Sequence, residues 1–156
     1  KTGGQGKHVI ALIQRVNWAQ VHIEGSLHAD IGQGLLALIG IEKDDDDRLA
    51  QKLLDKILAY RIFGDNDGKM NLDIAAVGGQ FLIVSQFTLS ASLNRGRRPS
   101  FNSAAHPDVA RPLIEALMAD LAARGFRVEG GRFGAEMQVE LVNDGPVTIW
   151  LDTDRP

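Results

Sequence analysis

The sequence predicts an α+β fold, in which a strand-rich mixed sheet, curved like a β-barrel, packs with two main helices. Short apolar runs bounded by Gly, Asp and Ser precede the first helical pattern, as expected of strands joined by tight turns. Two longer segments instead repeat apolar residues every three or four positions, as helices packed on a sheet do. With 44% hydrophobic residues in 156, the chain suits one globular domain with a substantial core.

Four predicted strands come before any helix. Residues 8–16 form a nearly continuous apolar run, and residues 19–23 alternate apolar with polar side chains, which is typical of a half-buried strand. After a turn at residues 24–26, the apolar runs 27–31 and 35–41 predict two further strands separated by a Gly-Gln-Gly break.

Two helices are predicted from apolar spacing. The first contains the periodic residues between Leu49 and Leu58, and the aspartates at 44–47 suit its N-cap and the positive end of its dipole. The second begins at Pro107, a residue well suited to a first helical turn, and ends before Gly125, a typical C′ residue.

Composition excludes several classes of protein. The net charge of −3 argues against a protein that binds nucleic acid through overall basicity, and the absence of cysteine excludes disulfides, thiolate catalysis and zinc-thiolate sites.

The early apolar run 9–13 is too short for a membrane span or a signal peptide, so a soluble, cytoplasmic protein is expected. Residues 1–7 are Gly-rich and lack an initiator Met, so we expect a tag remnant or disordered extension, with 8–156 as a single domain.

Two short segments place polar groups where a buried strand ends. The apolar run 81–84 leads into the Ser-Gln-Phe-Thr segment at 85–88, whose hydroxyls and main-chain N–H groups suit an oxyanion hole for attack on an ester. The Asn-Asp-Gly-Pro segment at 143–146 joins two strand-like runs, 136–142 and 147–151, and X-Pro bonds have an accessible cis form in tight turns. Each segment alone is more often an ordinary strand end or turn, whereas their joint presence favours a site.

Other familiar sites are excluded by their patterns. The four histidines show neither a Ser-His-Asp order nor metal-ligand spacing, so they are expected at surface or core positions. The segment 65–68 lacks the ligand periodicity of a calcium loop and is predicted to be an ordinary turn. No metal and no cofactor are expected.

Together these segments closely resemble the D-aminoacyl-tRNA deacylases of the bacterial and eukaryotic type, also called D-tyrosyl-tRNA deacylases. The similarity runs over nearly the full chain, through residues 13–16, 56–58, 61–63, 67–71, 85–89, 96–101, 131–135 and 142–148. The Asn-x-Gly-Pro-Val-Thr pattern is complete, with Asp144 as x, and only the N-terminal prefix departs from the family.

The resemblance implies a homodimer that hydrolyses the ester between a D-amino acid and the 3′-terminal adenosine of tRNA. Glycine is an implied further substrate, including glycine mischarged on tRNA(Ala). The Gly145–Pro146 bond would be cis, and the dipeptide would enter the partner subunit's active site and leave no space for an L side chain. Rigid main chain suits such rejection, because it cannot move aside for the wrong enantiomer. Neither DNA nor a membrane is an expected partner.

The same resemblance assigns the site residues. The catalytic set is Ser85, Gln86, Phe87 and Thr88, with the N–H groups around Gln86 and Phe87 polarising the ester carbonyl. We expect attack by water assisted by the tRNA 2′-hydroxyl, because the sequence shows no base near Thr88 and an unactivated hydroxyl is a weak nucleophile. A covalent role for Thr88 stays open. The residues that bind substrate or reject L-amino acids are Gly145, Pro146, Arg15, Phe133 and Met137.

Three of these residues have more specific expected roles. Arg15 would lock the Gly-Pro segment, while Phe133 and Met137 would line the adenosine pocket, although both also suit a core. Phosphate contacts with tRNA are expected from the loop after the catalytic strand, which contains Arg95, Arg97 and Arg98; without the resemblance, a solvated loop explains them equally well.

Three alternative functions fit the sequence less well. A non-catalytic nucleic-acid-binding module of the same fold should show a basic face and interleaved aromatic residues, which are not apparent. A relative of the editing domains of aminoacyl-tRNA synthetases is less consistent with a chain of this length. A general esterase should have a nucleophile elbow and a catalytic histidine, and neither is seen.

Overall fold

Within the residues that the structure describes, the fold combines eight strands and two helices, and the predicted α+β class is confirmed. A computed structural model describes residues 9–92 and 96–153, so the predicted extension at 1–7 and Arg95 lie outside the described residues. The elements in chain order are β1 (Val9–Ile23), β2 (Ser26–Ile31), β3 (Gly34–Ile41), α1 (Asp47–Ala59), β4 (Phe63–Gly64), β5 (Met70–Leu72), β6 (Gln80–Ser85), a 3₁₀ turn (Phe87–Ser90), α2 (Pro107–Ala123), β7 (Val128–Gly130) and β8 (Gln138–Asp152).

The long strand β1 organises a mixed sheet. Its first half pairs with β3 and its second half with β2, while β8 runs antiparallel to both halves. The strands β3, β6 and β7 are parallel neighbours, which gives the order β2-β1-β3-β6-β7 with β8 on β1. The sheet curls until β2 contacts β6 and β7, and an Arg127 guanidinium N–H donates to the Asp30 carbonyl at 3.1 Å. A nearly closed, barrel-like sheet results.

The structure corrects two predicted strand divisions. The two strands predicted before residue 24 form the single strand β1, and the two C-terminal strands form the single strand β8. The pairing of β1 with β8 shifts register between Gln14 and Val16 and again between Val16 and Trp18. Because each irregularity changes which side chains face the core, a bend in a continuous strand resembles a chain break in the sequence pattern.

Two hydrophobic clusters fill the two faces of the curved sheet. Both helices pack on one face, where Leu53, Ile57, Leu117 and Phe81 are at most 2% exposed. The other cluster lies within the curl and includes Val16, Val21, Leu36, Leu82 and Val84. Because β6 is buried on both faces, its end is held rigidly where polar residues begin.

Both helices lie where the sequence predicts them, and the predicted residues stand at the start of α1 and at both ends of α2. The Asp46 carboxylate accepts a hydrogen bond from the Leu49 N–H at 3.0 Å and caps α1. Helix α2 starts at Pro107 and is followed by Gly125, which has a φ of +97°. No helix in the described part of the chain is long and apolar enough to span a membrane.

The turn between β4 and β5 is an ordinary one. The Asp65 carboxylate accepts from the N–H groups of Asp67 and Lys69 at 2.9 and 3.0 Å. These hydrogen bonds, chiefly that from Lys69, lower the pKa of Asp65 below its usual value. The carboxylate therefore serves the backbone of its own turn, as the sequence predicts.

Candidate active site

A cleft of about 470 Å³ opens where β6 ends, and we call it the main cleft. Its wall includes Ser85, the last residue of β6, and Gln86 and Phe87 after it, together with Phe133 and Met137 from the approach to β8. The start of α2 and the segment before it complete the wall with Ala104, Ala105, Pro107 and Ala110. None of the described residues that line the main cleft is charged, so its polarity comes from main-chain groups, a hydroxyl and an amide.

The end of β6 presents fewer open main-chain donors than the sequence suggests. The Gln86 N–H donates to the Ile39 carbonyl at 2.8 Å and so continues the pairing with β3. The 3₁₀ turn then starts at Phe87, and no acceptor among the described residues is recorded for the N–H groups of Phe87 and Thr88. The available donors are therefore those of Phe87 and Thr88, and the Gln86 N–H is not one of them.

The Thr88 hydroxyl is oriented by its neighbour. The Gln86 side-chain amide donates to the Thr88 Oγ1. Within the described residues the hydroxyl has no other hydrogen-bond partner, and no carboxylate or imidazole contacts it. An exposed hydroxyl that already accepts one hydrogen bond keeps its own proton available for donation.

An aromatic pair stands beside this turn. Phe87 is 54% exposed, and its ring meets that of Phe101 edge to face with 4.9 Å between centroids. Phe101 ends the segment 96–101, which we call the arginine loop. Its base is closed because Ser92 and Ser100 exchange main-chain hydrogen bonds of 2.8 Å. Arg97 and Arg98 are exposed in this loop, and the contact of Phe101 with Phe87 places the loop near the end of β6.

The Gly-Pro turn, which we define as residues 143–148, is held by the side chain of its first residue. The Asn143 amide oxygen accepts from the Val147 N–H at 2.7 Å, and the amide nitrogen donates to the Thr148 Oγ1 at 2.8 Å. The Gly145–Pro146 bond is cis, as the resemblance implies, and both residues are exposed.

Arg15 fastens the Gly-Pro turn to the rest of the fold. Its Nε donates to the Asp144 carbonyl at 2.9 Å, and its Nη1 donates to the Ile62 carbonyl at 2.6 Å. The Asp144 carboxylate lies 3.5 Å from the same Nε, and the Arg15 side chain is only 14% exposed. Arg15 thus contacts the Gly-Pro turn directly, while the Ile62 carbonyl is a partner that the sequence pattern does not indicate.

The structure brings some predicted site residues together and keeps others apart. Ser85, Gln86, Phe87, Phe133 and Met137 meet in the main cleft. Within the described part of this single chain, neither Gly145 nor Pro146 lines that cleft. The two halves of the predicted site are therefore separate surfaces of one chain.

Sequence reasoning missed a second cleft of about 220 Å³, which we call the arginine cleft. It shares Ser85, Phe133 and Met137 with the main cleft and continues between α2 and residues 131–133. Arg111 and Arg132 line it together with Glu115. The Arg111 guanidinium carbon lies 5.2 Å from the centroid of the Phe133 ring. Helical spacing places Arg111 on α2 but gives no sign that it meets a loop twenty residues later.

No metal site is apparent among the described residues. In those parts of the chain, no group of three Asp, Glu or His side chains converges in a way that could hold an ion.

Comparisons with known proteins identify a family for this chain. The family model described as D-Tyr-tRNA(Tyr) deacylase matches residues 12–152. A D-aminoacyl-tRNA deacylase from Aeromonas hydrophila subsp. hydrophila is 54% identical over 143 residues, which cover 92% of this chain and 99% of that protein. One from Escherichia coli O81 is 52% identical over the same shares of both chains.

Two solved structures share the fold. The c-Myc DNA Unwinding Element Binding Protein has a TM-score of 0.85 and 35% identity, with 91% of this chain and 97% of that chain covered. A probable eukaryotic D-amino acid tRNA deacylase has a TM-score of 0.80 over 93% of this chain and 99% of that chain; at 18% identity, it supports the fold alone.

Proposed function

The chain belongs to the D-Tyr-tRNA(Tyr) deacylase family, and we propose from this that it hydrolyses the ester bond of D-aminoacyl-tRNA. The observation that carries the proposal is the extent of the family match: residues 12–152 contain every predicted site residue from Arg15 to Pro146. The products are a free D-amino acid and tRNA. Glycyl-tRNA, including glycine mischarged on tRNA(Ala), is a further substrate, because glycine has no L side chain to reject. Aminoacyl-tRNA as substrate implies action in the cytoplasm.

The main cleft suits the 3′-terminal adenosine. Its apolar wall, including Phe133 and Met137, offers contacts for the faces of a neutral base, and its few polar groups gather at the end of β6. An ester carbonyl seated at that end would lie beside the open N–H groups of Phe87 and Thr88. Two such donors can stabilise the negative charge that develops on the carbonyl oxygen during attack.

Water is the nucleophile in this proposal. Its oxygen attacks the ester carbon, a proton passes by way of the tRNA 2′-hydroxyl to the 3′-oxygen, and the bond from the carbonyl carbon to that oxygen breaks. Thr88 positions the water, because its hydroxyl is held by the Gln86 amide and has no base beside it. Main-chain donors and correct placement suit this chemistry, since an aminoacyl ester is already activated.

Selection against L-amino acids requires a partner subunit in this proposal. Gly145 and Pro146 are exposed and lie outside the main cleft of their own chain, so we place them in the main cleft of a second copy. Apolar side chains along β8 support a subunit contact there: Val142 is 39% exposed and Trp150 47%, and Trp18 lies opposite Val142 on β1. Carbonyl oxygens of the Gly-Pro turn would then hold the α-amino group, and rigid backbone would exclude an L side chain.

The arginine loop supplies part of the contact with tRNA. Arg97 and Arg98 are exposed, and the contact of Phe101 with Phe87 fixes the loop beside the catalytic strand end. Arg95 completes the basic group in the sequence. Guanidinium groups here would neutralise tRNA phosphates, although the chain as a whole is acidic.

Hydrolysis of D-tyrosyl-tRNA beside L-tyrosyl-tRNA tests the function directly. We expect the purified protein, without added metal, to accelerate loss of the D ester alone, and a Pro146→Ala variant to lose activity or selectivity. If neither ester were hydrolysed faster than in buffer while tRNA still bound, a non-catalytic nucleic-acid-binding module would become the better account.

A further inference from the structure

The arginine cleft differs from the main cleft in charge, although the two are continuous. No charged side chain lines the main cleft, whereas Arg111, Arg132 and Glu115 line the arginine cleft. With two guanidinium groups against one carboxylate, the second cleft has a local excess of positive charge in a chain whose net charge is −3. A ligand that spans both clefts therefore meets a neutral surface first and a cationic surface next.

Both arginines are available for an anionic ligand. Among the described residues, neither Arg111 nor Arg132 forms an ion pair with a carboxylate. Arg111 lies against the Phe133 ring, which restricts its side chain while the edges of the planar guanidinium remain able to donate. A guanidinium positioned in this way loses less conformational entropy on binding phosphate than a freely moving one.

The order of charges in the proposed substrate matches this arrangement. The terminal adenosine of tRNA is neutral, and the first negative charge after it is the phosphodiester on its 5′-oxygen. On the basis of the proposed function, we propose that Arg111 and Arg132 bind this phosphodiester while the adenosine occupies the main cleft. Phe133 separates the two subsites, because it contributes to the walls of both and carries Arg111 on its ring.

Glu115 makes the arginine cleft selective for a single phosphate. It lies one helical turn after Arg111 and lines the same cleft, so it opposes entry of further negative charge. The subsite is thus suited to a singly charged diester.

The test compares two small substrates that differ in one phosphate. Hydrolysis of the 3′-D-tyrosyl ester of adenosine is measured beside that of the same ester of adenosine 5′-(methyl phosphate), whose phosphodiester carries a single negative charge. We expect kcat/KM to be higher for the phosphorylated ester, and Arg111→Gln and Arg132→Gln each to lower it by about tenfold through a higher KM, as loss of one charge-assisted hydrogen bond predicts. Either substitution should affect the unphosphorylated ester much less, because that ester lacks the group that the arginines bind.

A salt series with D-tyrosyl-tRNA provides an independent readout. Each variant should reduce the slope of log KM against log salt concentration by about 0.7, the value for one phosphate contact on a single strand. Arg48→Gln is the matched control, because Arg48 is exposed on α1 outside both clefts, and it should change neither measurement.

Other results would overturn the assignment. Equal losses on both esters would mean that the arginines act by supporting Phe133 or the fold, and an unchanged KM for the phosphorylated ester would mean that no phosphate is bound there. If the unaltered protein hydrolysed neither ester nor D-tyrosyl-tRNA, the proposed function itself would fail, and the phosphate subsite with it.

Discussion

The Thr88 hydroxyl decides between two mechanisms that use the same strand end. A covalent mechanism needs a group to remove the Thr88 proton, and in the described residues its hydroxyl contacts only a donor, the Gln86 amide. An amide cannot accept that proton at neutral pH. The geometry therefore favours a hydroxyl that orients water.

Thr88→Ala should accordingly lower the single-turnover rate only modestly. Loss of one hydrogen bond worth roughly 0.5–1.5 kcal/mol predicts up to about a tenfold decrease. Removal of a covalent nucleophile would instead cost on the order of 10⁶-fold. Rapid-quench measurement with D-tyrosyl-tRNA distinguishes the two, with Thr88→Ser as the variant that keeps the hydroxyl. Abolished cleavage with unchanged binding in Thr88→Ala would contradict attack by water.

At the scale of elements, the Gly-Pro turn depends on the strand beside it. Gly145 has a φ of +135°, and a Cβ atom there would lie 2.8 Å from the Val147 Cγ2 and 3.1 Å from the Arg15 Nη2. Arg15 in turn ties β1 to the Asp144 and Ile62 carbonyls. A methyl group at this position therefore strains the backbone and displaces the arginine that fixes the turn.

Gly145→Ala should lose both stability and activity. We expect the free energy of unfolding to fall by about 1–3 kcal/mol, as for other residues forced into a disfavoured φ range, and hydrolysis of D-tyrosyl-tRNA to fall sharply in the fraction that remains folded. Gly68→Ala is the matched control, because Gly68 has a φ of +76° but no neighbour within 4 Å of an added Cβ atom. Urea denaturation and deacylation assays should show lost stability in both variants and lost activity only in the first. Normal activity in Gly145→Ala would mean that the Gly-Pro turn is not part of the active site.

The same elements show how far a sequence pattern can predict this fold. Apolar spacing and terminal residues locate α1 and α2 well, because caps and periodicity are local properties. The three-residue strand β7 was missed because it is short and its pairing partner β6 lies more than forty residues earlier in the chain. Because the pairing of β1 with β8 shifts register near residue 17, the sequence pattern suggests two strands where the structure has one, β1.

The site was predictable to a similar extent. Residues 85–88 lie at the end of a buried strand, so the sequence pattern predicts that polar groups become accessible there. The hydrogen bond from the Gln86 N–H to the Ile39 carbonyl of β3 cannot be predicted from the pattern, because β3 and β6 are paired through tertiary contacts. For the same reason, the meeting of Arg111 with Phe133 leaves no local signal.

At the scale of the whole molecule, the main cleft and the Gly-Pro turn are two separate surfaces, and the proposed chiral selection requires that they meet. In one chain, the turn does not line the cleft. A symmetric dimer would supply each cleft with the partner's turn and form two equivalent sites. In this proposal, the chemistry itself requires dimerisation.

Mixed dimers provide the decisive test of this requirement. Ala135→Trp would fill the main cleft of one chain, since Ala135 lines it, and Gly145→Ala would disable the turn of the other. Each variant alone should be inactive on D-tyrosyl-tRNA. Co-expression with two different affinity tags isolates the mixed dimer, in which the intact cleft of one chain meets the intact turn of its partner.

Because one of the two sites is restored, the mixed dimer should show about half the activity of the unaltered dimer. A mixed dimer no more active than either parent, or a protein that sediments as a monomer at assay concentration, would place the turn and the cleft of one active site in the same chain.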